Sequence, residues 1–367
     1  MKAQAAVLWE TGKPWSVEEV ELARPGEYEV LVRNEASGLC HSDHHVQVGD
    51  SPATLPLIGG HEGAGVVEEV GSAVRGFAPG DHVVYSYIPS CGQCRWCSTG
   101  HQNLCDIGAF LMKGATERGP RAQARGQGVG ALALIGTFAN YSVAHEASLV
   151  KVPEYLPFPQ AALLACGVPT GWGSAVYIGQ VKAGDTVVVV GAGGIGMNAV
   201  QGARLAGAEY IIVVDPAPTK QDAAPSFGAT HTAASMEEAV ALVSKLTWGV
   251  MADVGILTAG VVEGTMIAPF LDLISKNGVG VLTGIGHESD VKLPLRTFTL
   301  WQKQLRGTIY GGCNPRADIP RLIRLYGSGH LKLDELVSAT YPLEEINQGY
   351  TDMIDGKNIR GVVTHQH

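Results

Sequence analysis

The feature that most constrains the fold is a glycine-rich turn between a wholly apolar segment and a helix-like one. Residues 186–190 are four valines behind a threonine, which is typical of a strand buried on both faces of a sheet. The turn, Gly191 to Gly196, follows at once and leads into a helical pattern that ends near Ala206. A buried strand, a tight turn and a helix in this order favour a parallel sheet covered by helices.

The turn also has the spacing G-x-G-x-x-G, which in this setting predicts a dinucleotide site. Gly191 would make the turn, Gly193 would admit the pyrophosphate, and Gly196 would let helix and strand pack closely. Gly194 and Ile195 would open the helix, whose N-terminus attracts phosphate. The alternative is a glycine-rich turn without a cofactor.

An acidic residue stands where a dinucleotide site needs one. Asp215 ends the next apolar segment, 210–215. Its carboxylate would accept hydrogen bonds from the adenosine ribose and repel a 2′-phosphate, which favours NAD over NADP.

Strands and helices continue to alternate, and they set the predicted domain boundaries. Strands are predicted at 250–257, 279–283 and 307–311, and helices at 236–246 and 262–275. We therefore predict an α/β chain with a doubly wound parallel sheet, the Rossmann fold, over 168–309. Residues 1–150 are predicted to be mainly β, with 106–136 as a long loop.

Four cysteines lie close together in the chain: Cys91, Cys94, Cys97 and Cys105. Four thiolates can close a tetrahedral shell around Zn²⁺ and leave no open position, which predicts a structural zinc site. Free thiols and an iron–sulfur cluster are the alternatives, because such clusters also use four cysteines.

Three further metal-binding side chains are dispersed: Cys40, His61 and Cys166. Each alone is most simply a packed cysteine or a hydrogen-bonded histidine. Together they predict a catalytic zinc with one open position. Zinc there would lower the pKa of a bound alcohol.

Composition narrows the function classes. The 367 residues are 46% hydrophobic and 17% charged, with a net charge of −9. No run of Lys and Arg predicts nucleic-acid binding, and no apolar run is long enough to predict a membrane span. The absence of a recognisable secretion signal and the odd number of cysteines, seven, lead us to expect a cytoplasmic protein without a disulfide framework.

Taken together, these motifs resemble the zinc-containing medium-chain dehydrogenase/reductase family, along essentially the whole chain. The resemblance implies that 1–167 and 310–367 together form a GroES-like catalytic domain. It also implies two Zn²⁺ per subunit, NAD(H), and a small alcohol or aldehyde substrate. It implies catalytic roles for Cys40, His61, Cys166 and the acidic Glu62 behind the metal, with Asp43 orienting His61. It also implies that Ser42 and His45 form a proton relay. Among the cofactor contacts, it implies that His41 and Arg360 bind the pyrophosphate and that Lys220 binds the adenosine ribose. Tyr87 would line the substrate pocket.

Residues 100–106, the stretch 106–136, and segments 231–238 and 314–320 are similar to the nicotinoprotein branch of alcohol dehydrogenases. That branch keeps NAD bound through turnover, is assayed with a nitrosoaniline acceptor, and has mycofactocin as its proposed redox carrier. The family resemblance further implies a homodimer or homotetramer, joined through the last strand of the Rossmann domain near 307–311.

The function predicted from the sequence is zinc-dependent alcohol oxidation with NAD recycled in place. Three alternatives stay open at this point. They are a thiol-adduct-dependent formaldehyde dehydrogenase, a dehydrogenase with freely exchanging NAD, and a non-catalytic NAD-binding sensor.

Overall fold

The computed structural model describes residues 1–286, 291 and 293–367. Within them the strands are β1 Lys2–Leu8, β2 Ser16–Leu22, β3 Glu29–Gly38, β4 Leu57–Ile58, β5 Ala64–Val70, β6 His82–Tyr85, β7 Ala122–Ala124, β8 Gln127–Ala131, β9 Tyr141–His145, β10 Leu149–Lys151, β11 Thr186–Val190, β12 Tyr210–Val214, β13 His231–Ala233, β14 Ala252–Leu257, β15 Ile274–Leu282, β16 Gln304–Gly307, β17 Val337–Pro342 and β18 Arg360–Thr364. The α-helices are α1 His41–Val48, α2 Arg95–Ser98, α3 Phe158–Leu163, α4 Gly167–Gly173, α5 Gly194–Ala206, α6 Pro218–Phe227, α7 Met236–Leu246, α8 Ile267–Asp272, α9 Leu295–Trp301, α10 Pro315–Gly327 and α11 Ile346–Ile354. Short 3-10 turns join several of them.

The chain divides into two compact units. The first consists of Met1–Cys166, Asn314–Ser328 and Leu333–His367, and the second of Gly167–Cys313 and Gly329–Lys332. The predicted boundaries were 167/168 and 309/310, so the second crossing lies four residues later in the structure.

The first unit is mainly β. Strands β1, β2, β7, β8 and β4 form a closed barrel, and a second sheet has the order β10-β6-β5-β3-β18-β17, with β9 also paired to β3. An aromatic cluster of Trp15, Phe138 and Tyr350 packs in its core with Leu39 and Val46. Strand β3 lies inside this sheet, and α3 packs against β3. The residues that directly follow β3 and α3 are therefore held in fixed positions.

The prediction of a long loop over 106–136 was wrong for its second half. Strands β7 and β8 form a hairpin in which Ala124 pairs with Gln127. Arg125 and Gly126 make the turn, with φ of 51° and 77°. Two successive positive φ angles match the twist of a two-residue hairpin. The strands were missed because each is short and built from small residues.

The second unit confirms the predicted doubly wound parallel sheet. Its six strands have the order β13-β12-β11-β14-β15-β16, and all their pairings are parallel. This is the strand order of the Rossmann fold, in which ligands bind at the carboxyl ends of the strands. All five residues of β11 are buried, and each valine contributes about 1.5–3 kcal/mol by leaving water.

The predicted strand at 307–311 was misplaced. The last strand of the sheet is β16, which ends at Gly307, and Tyr310–Gly312 forms a 3-10 turn. Tyr310, Gly311 and Gly312 have φ of 58°, 62° and 71°, so this stretch cannot be extended. Tyr310 is buried there by a turn and not by strand pairing, while Ile309 is exposed. None of the helices in the described ranges combines the length and apolarity that crossing a bilayer requires.

Candidate active site

Four metal-binding side chains from distant parts of the chain meet inside the first unit. They belong to Cys40, His61, Glu62 and Cys166, and one ligand atom from each lies within 4.8 Å of the others. All four residues are buried. The three dispersed residues singled out from the sequence are therefore close enough to share one ion, and Glu62 lies within the same radius.

The backbone explains how these side chains converge. Cys40 follows β3 and is the residue before α1, while Cys166 follows α3, which packs on β3. Gly60 has φ of +88°, and a Cβ there would stand 2.5 Å from the Thr137 hydroxyl oxygen. Only glycine fits this turn without strain, so Gly60 is what brings His61 into the cluster.

Asp43 holds the His61 ring. Its Oδ2 lies 2.9 Å from His61 Nδ1, and its Oδ1 accepts a hydrogen bond of 2.9 Å from the Gly60 N–H. With Nδ1 turned toward this fully buried carboxylate, Nε2 is the ring nitrogen left for a metal. A carboxylate behind a ligating histidine orients the ring and raises its basicity.

Burial and mutual charge perturb the donors strongly. The pKa of Cys40 is lowered, first by a hydrogen bond with Cys166 and then by the charge of His61. That bond and burial raise the pKa of Cys166. For His61, burial opposes protonation, yet the charges of Asp43 and Cys40 outweigh it and raise the pKa. Two buried thiols beside an imidazole are a donor set that suits Zn²⁺ well.

Glu62 and Arg360 form a buried ion pair at the back of the cluster. Glu62 is fully buried and Arg360 is 6% exposed. Burial raises the pKa of Glu62, and the charge of Arg360 works against that rise. The sequence suggested a pyrophosphate contact for Arg360; the structure places its guanidinium on Glu62, and the pyrophosphate role stays a prediction.

The residues of the predicted proton relay lie on α1. The Cys40 thiol is 3.7 Å from the Ser42 hydroxyl oxygen, and His45 is buried with Nδ1 3.0 Å from Asp50 Oδ2. Sequence reasoning missed Asp50, although it lies just beyond Gly49, the residue that ends α1. Burial lowers the pKa of the neighbouring His41.

Tyr87, predicted to line the substrate pocket, packs its ring edge-on against His61. The ring centroids are 5.4 Å apart and the planes meet at 79°. This contact puts Tyr87 beside the metal-binding cluster.

The four-cysteine loop forms a second group. The ligand atoms of Cys91, Cys94, Cys97 and Cys105 lie within 4.8 Å of one another. Backbone N–H groups point at the sulfurs: that of Cys94 toward Cys91 at 3.3 Å, and that of Cys97 toward Cys94 at 3.5 Å. The bond from Cys97 is the main reason that the pKa of Cys94 falls to about 6. Four convergent sulfurs, one already stabilised as a thiolate, fit a closed zinc site.

In the second unit the glycine turn joins β11 to α5. Gly191 has φ of +97°, and a Cβ on Gly196 would stand 1.9 Å from the Gly191 carbonyl oxygen. A Cβ on Gly193 would meet nothing within 4 Å. Gly191 and Gly196 are thus required by the fold itself, whereas Gly193 faces open space at the N-terminus of α5.

We expect two alanine substitutions to separate these roles. Gly193→Ala should leave the NAD-free protein as stable as the wild type, since φ there is −80°, yet weaken NAD binding about tenfold or more by blocking close approach. Gly196→Ala should lower the melting temperature of the NAD-free protein by about 5 °C, because overpacking costs ~1–3 kcal/mol. Calorimetry and NAD titration of the stripped proteins measure both effects. Equal melting losses in the two variants would contradict the assignment.

Asp215 is tied to this turn. One carboxylate oxygen accepts from the Ala192 N–H at 2.8 Å and the other from the Ala217 N–H at 2.9 Å. The side chain therefore braces the turn, and its contact with the ribose stays a prediction. Lys220, in the first turn of α6, is half-buried.

These two centres and the two folds define the class. The chain belongs to the zinc-containing medium-chain dehydrogenase/reductase family of alcohol dehydrogenases. Residues 26–154 match the alcohol dehydrogenase GroES-like domain, and residues 194–328 match the zinc-binding dehydrogenase domain.

Individual relatives agree along the whole length. The chain is 50% identical to the NDMA-dependent alcohol dehydrogenase of Amycolatopsis methanolica, with 100% of this chain and 99% of that protein covered. It is 49% identical to alcohol dehydrogenase B of Mycobacterium tuberculosis, at the same coverage. Among solved structures, benzyl alcohol dehydrogenase of Acinetobacter calcoaceticus superposes with a TM-score of 0.92 at 29% identity, with both chains fully covered.

Proposed function

We propose that this protein is a zinc- and NAD-dependent alcohol dehydrogenase that keeps its NAD bound and recycles it in place. The observation that carries the proposal is the buried set of Cys40, His61 and Cys166 in one cluster. A closed site serves structure, whereas three protein ligands with a further position suit catalysis. Binding alone would not require such a set.

The zinc ligands would be Cys40, His61 and Cys166, with the four-cysteine loop holding a second ion. When bound, zinc would polarise the oxygen of the alcohol, and NAD would accept the hydride from its carbon. Arg360 pairs with the Glu62 carboxylate, so the negative charge of Glu62 would be balanced by Arg360 and would not add to the charge of the zinc ligands.

The protein's own residues would move the proton. Ser42 Oγ, which lies 3.7 Å from the Cys40 thiol in the metal-binding cluster, would accept the hydroxyl proton of the alcohol while passing its own proton on toward His45. His45 Nδ1 faces the Asp50 carboxylate, so Nε2 is the nitrogen that would receive the proton. Asp50 would stabilise the resulting imidazolium, and this suits His45 as the group that passes the proton on.

NAD retention is supported by the 50% identity to the NDMA-dependent alcohol dehydrogenase of Amycolatopsis methanolica. We expect freshly purified protein to contain about one NAD(H) per chain and to oxidise alcohols with a nitrosoaniline acceptor when no NAD is added. Mass spectrometry of the denatured protein and acceptor bleaching measure the two. Turnover only after adding NAD would favour freely exchanging NAD, and activity only with formaldehyde plus a thiol would favour the adduct-dependent enzyme. No turnover under any of these conditions would contradict a dehydrogenase.

We also propose a dimer joined through β16, which pairs only with β15 among the described residues. An open strand edge of this kind is a ready surface for pairing with a second copy. A mass in solution equal to that of one 38.5 kDa chain would contradict it.

A further inference from the structure

Tyr350 lies on α11 and belongs to the aromatic cluster that also contains Trp15 and Phe138. Its ring stacks on Trp15 and on His44, at centroid distances of 6.2 Å and 6.3 Å, and meets the edge of Phe138 at 6.2 Å. The side chain is 3% exposed. Its ring thus contacts His44, the residue next to Asp43, and Phe138, which packs on Gly60. Asp43 and Gly60 are the residues that position His61.

The hydroxyl of Tyr350 is buried and makes no hydrogen bond of ordinary geometry within the described parts of the chain. Leaving such a group without a partner is destabilising. Burial and then the negative charge of Asp43 raise the pKa of Tyr350, followed by the charges of Cys40 and Glu62. The hydroxyl therefore lies in the field of the carboxylate that orients His61. Asp43 Oδ2 is likewise a buried oxygen without a hydrogen bond of ordinary geometry among the described residues, so it is a matching acceptor.

We propose that the Tyr350 hydroxyl donates a hydrogen bond to the Asp43 carboxylate and is a positioning residue for His61. The proposal rests on the proposed zinc-dependent function. Asp43 would then be held from three sides, by the Gly60 N–H, by His61 Nδ1 and by Tyr350. A carboxylate fixed in this way fixes the imidazole plane, so Tyr350 would set the direction from which Nε2 reaches the metal.

The decisive variant is Tyr350→Phe, and the chain offers a matched control. Tyr341 belongs to the same buried cluster, but its hydroxyl bonds to Asp352 at 3.0 Å, so Tyr341→Phe removes a similar group without touching Asp43. Groups behind a metal ligand typically change metal affinity 10–100-fold; because Tyr350 acts one bond further away, we expect about a tenfold faster loss of one zinc to a chelator. The zinc of the four-cysteine loop should be retained equally in all proteins.

Cobalt substitution gives a visible absorption spectrum that would not change if Tyr350 served packing alone. In Tyr350→Phe the visible absorption of cobalt in the Cys40, His61 and Cys166 set should shift, while the melting temperature of the metal-free protein falls no more than in Tyr341→Phe. Wild-type-like zinc loss and cobalt spectrum in Tyr350→Phe, or equal changes in both tyrosine variants, would overturn the proposal. If the wild type itself holds one zinc and oxidises no alcohol, the proposed function fails instead, so the two failures are distinguishable.

Discussion

Cys40→Ser should abolish alcohol oxidation while leaving the protein folded. Cys40 supplies one of three dispersed sulfur and nitrogen donors, and its thiol is the one whose pKa is lowered. A serine hydroxyl is a poor ligand for zinc, so the ion and its effect on the alcohol oxygen would be lost. That effect is worth several kcal/mol, and each ~1.4 kcal/mol is tenfold in rate, so we expect activity to fall by about a thousandfold or more.

Metal analysis and steady-state kinetics measure this prediction. The zinc content should drop from two ions to one per chain. Cys313→Ser is the control, because Cys313 is buried outside both metal sets, with its sulfur 3.2 Å from the Pro169 carbonyl oxygen, where a serine hydroxyl can still donate. Turnover at the wild-type rate in Cys40→Ser would refute its assignment as a ligand.

Cys97→Ser should differ from Cys40→Ser, because its main effect should be a large loss of stability. From residue 91 to residue 113, only Cys97 and Cys105 are buried, so this loop has almost no apolar core. Zinc would take the place of that core, as in small domains that fold only with metal. We expect the loss of one zinc and a fall of about 10 °C in melting temperature, corresponding to several kcal/mol.

Scanning calorimetry with metal analysis tests it, and Ser98→Ala, an exposed neighbour, is the control. A Cys97→Ser protein that melts like the wild type would show that the loop is held by something other than metal. Together the two cysteine variants separate a zinc that serves the reaction from a zinc that serves the fold.

Much of this protein could be predicted from the sequence because its motifs are local. The strand, glycine turn and helix at 186–206 occupy consecutive residues, so hydrophobic period and glycine spacing sufficed to predict the parallel sheet that the structure has. The four cysteines lie within fifteen consecutive residues, 91–105, and need only one loop to converge. The strand predictions failed at two places. In the β7–β8 hairpin the strands are short and made of small residues, and at Tyr310 an apolar residue belongs to a turn and not to a strand.

Local composition therefore determined the fold class of the second unit and the four-cysteine loop, since neighbours in the chain cannot move far apart. The tertiary structure alone decided what meets across long separations: Arg360 with Glu62, 298 residues away, and Tyr350 with His44, the residue next to Asp43. Such pairs leave no trace in spacing, because they depend on how β18 and α11 pack against the strands and helix that begin the chain. The chemistry of the cluster was thus recognisable from its residues, while the pairing of Arg360 with Glu62 and the packing of Tyr350 on His44 were decided by the tertiary structure.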